Sequence, residues 1–254
     1  MRLGAHCYAL TGFAYLPPWA VNAGFVVGDE RTLVIDCGPS LQAAATILGY
    51  ARTARPSNVV FAIDTERHFD HVAGNELFRR QGLDVWGHPS IDRSDEEHAR
   101  DVAEYSLTVA DPVRRAAGEG RIPFAGTRIV PPNVRVEREQ DLALGGVVAQ
   151  VLLIPGHTPA NLAVWIADDG VLYAGDTVVS DYAPNLESGG PWELQQWLRA
   201  LDRIEALAPG KVVPGHGRVL EGPEIGIEIG RIRRHLERAL AEDAATRSRS
   251  PSRR

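Results

Sequence analysis

The apolar positions of this chain follow two periodicities, which together predict a mixture of strands and helices. Short runs rich in β-branched residues at 23–28 and 32–37, joined by Asp29-Glu30-Arg31, predict a β-hairpin. Residues 58–64 form a continuous apolar run, typical of a strand that is buried on both faces. Further strands are predicted at 147–154, 162–167, 171–174 and 211–213.

Helical signals lie between these runs. Ser40 is suited to cap a helix that extends to about residue 53, and a short helix is predicted over 72–80, ended by Gly82. Residues 90–121 are polar and predict one or two surface helices. Two amphipathic helices are predicted to begin at Pro191 and near Pro223. Their apolar stripes are Leu194, Trp197, Leu198, Leu201, Ile204 and Leu207, and Ile225, Ile229, Ile232, Leu236 and Leu240.

The order of elements predicts an α/β fold in which two sheets pack face to face with helices outside. No stretch between the predicted elements is long enough to act as a linker between domains. We therefore expect one domain over residues 1–246. The remaining residues, 247–254, are rich in arginine and serine and predict a basic, disordered tail.

Composition narrows the class of protein. The chain has 254 residues, of which 44% are apolar and 24% charged, as is ordinary for a soluble globular protein. Its formal charge is −6, which argues against binding to nucleic acid. No apolar run approaches the roughly 20 residues needed to span a membrane. With two cysteines and no signal-peptide pattern, a cytoplasmic protein is expected.

Four short motifs carry candidate metal ligands. Residues 65–71 read Thr-Glu-Arg-His-Phe-Asp-His. They are followed by Pro-Gly-His-Thr-Pro at 155–159, Ala-Gly-Asp-Thr at 174–177 and Pro-Gly-His-Gly at 214–217. Imidazole and carboxylate are the usual ligands of catalytic zinc and similar divalent ions. The candidate ligands are Glu66, His68, Asp70, His71, His157, Asp176 and His216.

These seven groups suffice for two ions that share a carboxylate and leave room for water. A turn that leaves a strand can direct the side chains of 66–71 toward one point, and the other three would arrive from further strand ends. The four remaining histidines, His6, His88, His98 and His235, have no such motif around them and are not expected to be ligands.

Taken together, the motifs resemble those of the metallo-β-lactamase-fold superfamily, in its glyoxalase II-like hydrolytic branch. The resemblance covers roughly residues 20–222 and implies an αββα sandwich of two mixed sheets with a dinuclear site at one sheet edge. It also implies that His68 and His157 belong to the first metal site. Asp70, His71 and His216 would then form the second, with Asp176 bridging the two.

One position departs from the family pattern His-x-His-x-Asp-His, because Glu66 stands where the first histidine belongs. A carboxylate is a harder ligand than imidazole and adds a negative charge. Zinc is expected, with manganese or iron as alternatives. Glu66 is taken as a ligand, although a side chain turned away from a weak first site is the other interpretation.

The expected function is a metal-dependent hydrolase in which a metal-activated water attacks a thioester, ester, lactone or amide carbonyl, with Asp70 as proton acceptor. A di-iron or mono-iron oxidoreductase of the same fold and a non-hydrolytic cyclase or metal-binding protein are the alternatives. Tyr15, Trp19 and Tyr182 are candidate contacts to a small-molecule substrate. No cluster of lysine and arginine stands near the motifs, so glutathione and coenzyme A thioesters are not the first choice. The sequence leaves the oligomeric state open.

Overall fold

The computed structural model describes residues 1–13, 20–108, 128–186 and 189–249. These residues contain twelve strands and six helices. The strands are β1 Cys7–Phe13, β2 Val21–Val27, β3 Arg31–Ile35, β4 Val59–Ile63, β5 Val85–Gly87, β6 Val134–Arg135, β7 Gln140–Ala143, β8 Val148–Leu153, β9 Leu162–Ile166, β10 Val171–Val179, β11 Lys211–His216 and β12 Leu220–Glu221. The helices are α1 Leu41–Ala54, α2 Phe69–Val72, α3 Asn75–Arg80, α4 Asp95–Thr108, α5 Pro191–Leu207 and α6 Pro223–Arg249.

The strands form two mixed half-sheets. In the first, β2 and β3 are antiparallel, as the predicted hairpin requires, and β3, β4, β5 and β6 run parallel. In the second, β10 and β11 are parallel while β7, β8, β9 and β10 are antiparallel. A single residue pair, Val21 with His216, joins the halves into one continuous path. The two predicted sheets are therefore linked at the residue that ends β11.

Three apolar layers explain why the halves fold over one another. The inner layer lies between the half-sheets and includes Leu33 and Ile63 from one and Val164 and Tyr173 from the other. A second layer packs α5 and α6 on the outer face of β8–β11, and a third packs α1 and α3 on the outer face of β2–β5. This is the predicted αββα arrangement, and it is confirmed.

Helix ends follow ordinary capping rules. Ser40 caps α1 by accepting a hydrogen bond from the backbone N–H of Ala43 at 3.2 Å, as predicted. Helix α5 begins at Pro191, and its predicted residues Leu194, Trp197 and Leu201 are buried. Among the described residues, no helix is both long and apolar enough to cross a membrane.

The helix predicted over 72–80 is wrong in its bounds, because the structure has two short helices, α2 and α3. Gly74 lies between them, and its backbone N–H donates to Gly38 O at 2.8 Å. A Cβ on Gly74 would collide with the carbonyl oxygen of Cys37. This close approach divides the helix and presses the motif of residues 65–71 against the end of β3.

The strand predicted at 171–174 is too short, because β10 continues to Val179 and contains Asp176. Gly175 explains the extension, since its φ of 48° and the register shift beside it let the strand deform and continue. Asp176 therefore projects from within a strand rather than from a loop. At the C-terminus, the disordered tail predicted from residue 247 is wrong in its start, because α6 runs to Arg249, and residues 250–254 lie outside the described ranges.

Candidate metal centre

The seven predicted ligands converge where the two half-sheets meet. Strand β4 ends at Ile63 and leads directly into Glu66 and His68, whereas Asp70 and His71 lie in α2. His157 follows β8, Asp176 lies in β10, and His216 is the last residue of β11. In the structure their donor atoms fall into two groups, Glu66, His68, His157 and Asp176, and Asp70, His71 and His216, each within 4.8 Å internally.

Glycines make this convergence possible. A Cβ on Gly215 would collide with the carboxylate of Asp176, and a Cβ on Gly175 would lie 2.6 Å from Thr65 Oγ1. The glycines that flank the ligands in the sequence motifs are thus needed for close approach of the backbone segments.

The first group is closely packed around Glu66, which is fully buried. Its Oε2 lies 2.6 Å from His68 Nδ1, and its Oε1 accepts the backbone N–H of His68 at 2.9 Å. His157 Nε2 lies 3.2 Å from His68 Nδ1 and 3.8 Å from Glu66 Oε2. The other ring nitrogen of His157 lies 3.0 Å from Asn185 O, which fixes the ring from behind.

The second group is anchored from behind at both imidazoles. His71 Nδ1 lies 3.0 Å from Asp36 Oδ2, and His216 Nδ1 lies 2.9 Å from Ala20 O. These contacts leave both Nε2 atoms facing the centre, where His216 Nε2 is 3.3 Å from Asp70 Oδ2. Such contacts behind a ligand set the tautomer and orientation of the ring.

Asp176 lies between the groups. Its Oδ1 is 3.2 Å from His71 Nε2, and its Oδ2 is 3.2 Å from His216 Nε2 and 3.6 Å from His157 Nε2. One carboxylate therefore faces imidazoles of both groups, as a bridging ligand must.

The donor set fits divalent metal ions. Glu66 Oε2, His71 Nε2 and Asp176 Oδ1 are buried and face the same centre, where, among the described residues, their ion-pair contacts are with other candidate ligands. Buried polar atoms need partners, and donor atoms that converge with mainly one another as partners indicate the place of a bound cation. Four imidazoles and three carboxylates are the hard and borderline donors that zinc, manganese and iron accept.

Charge pairing holds the cluster together without metal. Burial alone would lower the pKa of His216, but the charge of Asp176 outweighs it and raises that pKa to about 9. Burial likewise opposes protonation of His71 and His68, yet Asp36 and Glu66 respectively raise their pKa values. For His157 burial prevails and lowers the pKa.

The carboxylates show the complementary effect. Burial would raise the pKa of Glu66, but the charges of His68 and His71 lower it to about 2. Burial would also raise the pKa of Asp176, and the charges of His216 and His71 instead hold it well below its usual range. Protons on the imidazoles thus occupy the place that cations would take.

Asp36 is a functional residue that the sequence analysis missed. Its Oδ1 accepts the backbone N–H of Thr65 at 2.7 Å, and its Oδ2 holds His71. It adopts a φ of 62° directly after β3 and before Cys37 and Gly38. An aspartate followed by Cys-Gly at the end of an apolar strand was the available signal.

The predicted substrate contacts are not tested by the described residues. Tyr15 and Trp19 lie outside the described residues, and Tyr182 is half-buried after β10, so these contacts stay predictions. Of the histidines not expected to bind metal, His6 and His88 make local contacts to Val27 O and Ser90 Oγ. His98 is 5% exposed and packs 5.8 Å from the Phe69 ring, close to the motif.

Comparison with known proteins agrees with this geometry. The metallo-beta-lactamase superfamily profile matches residues 16–216. A hydroxyacylglutathione hydrolase from Methylococcus capsulatus is 28% identical over 231 residues, which cover 86% of this chain and 73% of that protein. A linear primary-alkylsulfatase from a Pseudomonas species is 21% identical, over 82% of this chain and 44% of its own length.

Solved structures show the same fold. A metallo-beta-lactamase from Pontibacter korlensis superposes with a TM-score of 0.69 at 20% identity, covering 93% of this chain and 97% of that one. The chain belongs to the metallo-beta-lactamase superfamily. Its fold and its cluster of candidate ligands are those of a metal-dependent hydrolase.

Proposed function

We propose that this protein hydrolyses a small-molecule thioester, ester, lactone or amide with two divalent metal ions, zinc being the expected metal. The observation that carries the proposal is the division of seven donor residues, five of them buried, into two groups with Asp176 between them. A single structural ion would need about four ligands, and so many donors fit a pair of ions with positions left for water and substrate.

The assignment of ligands follows the two groups. Glu66, His68 and His157 would hold the first ion, and Asp70, His71 and His216 the second, with Asp176 shared. Ions held there supply Lewis-acid polarisation of the substrate carbonyl and a water of lowered pKa.

Protein side chains direct the attacking water. Asp70 is 4% exposed, and its Oδ2 lies 3.3 Å from His216 Nε2. Its carboxylate is therefore held at the inner wall of the site. We assign to Asp70 the orientation of the water and the acceptance of its proton. The imidazoles of His71 and His216 are held by Asp36 and Ala20, which keeps the site rigid around the reacting atoms.

Glu66 is proposed as a ligand of the first ion. Its full burial and its Oε2 at 2.6 Å from His68 Nδ1 support this role over an outward-turned side chain. The additional negative charge would weaken the Lewis acidity of that ion relative to an all-imidazole site. It also makes manganese or iron better competitors of zinc.

The relatives leave the bond type open. One is named as a hydrolase of hydroxyacylglutathione and another as a sulfatase of primary alkyl sulfates, so the same fold supports different substrates. Carbonyl hydrolysis is favoured here because the relative with the higher identity and coverage is the hydroxyacylglutathione hydrolase.

Two measurements on one preparation test the proposal. Metal analysis of protein reconstituted with zinc, manganese or iron should give between one and two equivalents. A panel of para-nitrophenyl esters, thioesters, lactones and amides should give turnover that is lost with chelator and restored by the same metal. Less than one equivalent after reconstitution, or no turnover of any carbonyl substrate by the fully loaded protein, would contradict it.

A further inference from the structure

The side chain of Trp197 connects helix α5 with the metal centre. It is 1% exposed, and its ring lies against the imidazole of His157, with the ring centroids 5.3 Å apart and the planes at 62°. In the sequence, Trp197 is one member of the apolar stripe of α5, buried together with Leu194 and Leu201. Its contact with a proposed ligand is a second role, which a helical period does not reveal.

The polar end of the same indole contacts the strand that carries Asp176. Trp197 Nε1 donates to the backbone carbonyl of Thr177 at 2.8 Å, inside the protein. Thr177 follows Asp176 directly in β10, and its Oγ1 donates to the carbonyl of Ile154 at 3.4 Å. Trp197 therefore contacts both a ligand of the first group and the backbone next to the shared carboxylate.

Gly156 allows the loop before His157 to pack closely on the helix. A Cβ on Gly156 would lie 2.6 Å from Trp197 Cα and 2.7 Å from its Cβ and Cγ. Only a residue without a side chain fits at this distance. The glycine of the motif at 155–159 thus has a specific partner, and it keeps the loop against the indole.

His157 is held on a second side as well. Its Nδ1 lies 3.0 Å from Asn185 O, whereas its Nε2 lies among the other ligands, 3.2 Å from His68 Nδ1 and 3.8 Å from Glu66 Oε2. The carbonyl sets the direction of Nδ1, and the indole restricts the tilt of the ring. The two contacts together keep Nε2 directed into the cluster.

We propose that Trp197 is a positioning residue of the metal centre, which holds His157 and the strand of Asp176 in the geometry that binds the first ion. The inference rests on the proposed metal centre and not on the reaction that the centre catalyses. Edge-on contacts between rings and hydrogen bonds of a buried indole are both directional. Trp197 therefore fixes orientation in a way that an aliphatic residue of the stripe does not.

Two substitutions separate the parts of this contact. Trp197→Phe keeps an aromatic ring beside His157 but removes the N–H that Thr177 accepts, and Trp197→Leu removes both. Chelator competition on zinc-loaded protein should show affinity for the first ion lowered about tenfold in the first variant and about a hundredfold in the second, as for residues that support a ligand. Affinity for the second ion should change much less, because His71 and His216 have their own supports.

Trp165 provides the matched control. It belongs to the same apolar layer, at 9% exposure, but lies in β9, which carries no proposed ligand. Trp165→Phe and Trp165→Leu therefore report the cost of a smaller side chain in this layer, which thermal unfolding of the metal-free variants measures. A merely structural role of Trp197 predicts equal zinc affinity in Trp197 and Trp165 variants that have lost equal stability.

Wild-type protein gives a second readout that does not depend on how the variants fold. The chain has five tryptophans, so its indole N–H signals form a small set in a nitrogen–proton NMR spectrum. Zinc added to metal-free protein should shift the Trp197 signal, identified by nuclear Overhauser contacts to Thr177, and leave that of Trp165 in place. A Trp197 signal that stays in place up to saturation with zinc would overturn the proposal.

The outcomes also separate this inference from the proposed function. Turnover by zinc-loaded protein, together with equal zinc affinity in the Trp197 and Trp165 variants, would overturn the positioning role and leave the hydrolase intact. Zinc affinity that depends on Trp197, without turnover of any carbonyl substrate, would contradict the hydrolase and leave the positioning role intact.

Discussion

The two groups of candidate ligands differ in how the rest of the fold supports them. In the second group, His71 and His216 are each held from behind, by the carboxylate of Asp36 and the carbonyl of Ala20. In the first group, His157 is held from behind by Asn185 O, but Glu66 and His68 hold mainly one another within one turn. His68 is also the most exposed of the seven ligand residues.

This difference bears on metal affinity. Ligands that are already oriented lose little conformational freedom when they bind an ion, so the second group should bind its ion more tightly. The first group combines a partly exposed imidazole, His68, with the carboxylate of Glu66, which stands where the resemblance of the motif implies histidine. We therefore expect the two ions to leave the protein in separate steps, the first-group ion earlier.

The largest effect should follow from removing the residue that both groups share. Asp176→Ala deletes the proposed bridge, and we expect kcat/KM on an active ester to fall about a thousandfold or more, because both ions lose a ligand. His216→Ala should cause a loss of similar order by weakening the second ion. Activity and metal content would be measured together.

His235→Ala is the control for these variants, since His235 lies on α6 and outside both groups. His98 would be a poor control, because its buried ring packs against Phe69 inside the motif. Near-normal turnover of folded Asp176→Ala protein would rule out Asp176 as a carboxylate shared by both ions. The two groups of ligands would then not be coupled through this residue.

The next effect concerns the support behind His71. Asp36→Asn keeps a residue that tolerates the observed φ of 62° but removes the charge that orients the imidazole. We expect affinity for one metal equivalent to fall about tenfold to a hundredfold, as for other residues that support a ligand. Competition with a chromogenic chelator measures this.

Asp181→Asn is the matched control, because Asp181 is also an aspartate at positive φ, 65°, but pairs with Arg218 instead of a proposed ligand. If Asp36→Asn weakens binding no more than Asp181→Asn does, the support of His71 by Asp36 has no consequence for the metal.

The sequence predicts the layers of the fold and the members of the cluster better than it predicts the short strands and the contacts between distant segments. The ends of α1, α5 and α6 carry strong local signals, a serine cap and two prolines, and their apolar stripes are long. Strands β1, β5, β6, β7 and β12 were not predicted, because β1 is half-exposed and the other four have only two to four residues, too few to show a period.

Features that depend on contacts between distant segments could not be predicted in the same way. The break at Gly74 depends on Cys37, the support of His71 on Asp36, and the packing of His157 on Trp197. Each is set by tertiary packing and not by local pattern. The clustering of the seven ligands was accessible because each motif carries its own glycine or acidic signal.

A smaller effect should appear in the pH dependence of metal binding. The Asp176 charge raises the pKa of His216 to about 9, so in the metal-free protein this imidazole is protonated at neutral pH and an ion must displace the proton. His157, whose pKa burial lowers, imposes no such cost. His71, whose pKa is also raised, must lose its proton too, so affinity of the second group should rise with pH by up to about a hundredfold per unit below 9 and less steeply above it.

Chelator competition at a series of pH values would separate the two equivalents. An affinity that is independent of pH between neutrality and pH 9 would show that the imidazoles of the second group carry no displaceable proton.

The smallest effect, and the one most specific to this chain, concerns Glu66. Glu66→His replaces the carboxylate of the first group by an imidazole, so the loaded centre gains positive charge. The metal preference should move toward zinc, and the pH at which activity rises should fall by about one unit, because the water of the centre ionises more readily. Glu66→Ala should lose one metal equivalent and leave the other at Asp70, His71 and His216.

Glu76→His is the matched control, because Glu76 is also buried, at 5% exposure, but pairs with Arg80 away from the cluster. A crystal structure of the metal-loaded protein provides the most direct test. A carboxylate oxygen of Glu66 within about 2.0–2.2 Å of an ion, the range expected for zinc, would establish it as a ligand. If both metal sites were occupied and Glu66 were turned away, the first group would offer its ion two histidines and the shared Asp176. The lower affinity of the first group would then arise because a ligand is missing, and not because Glu66 is loosely supported.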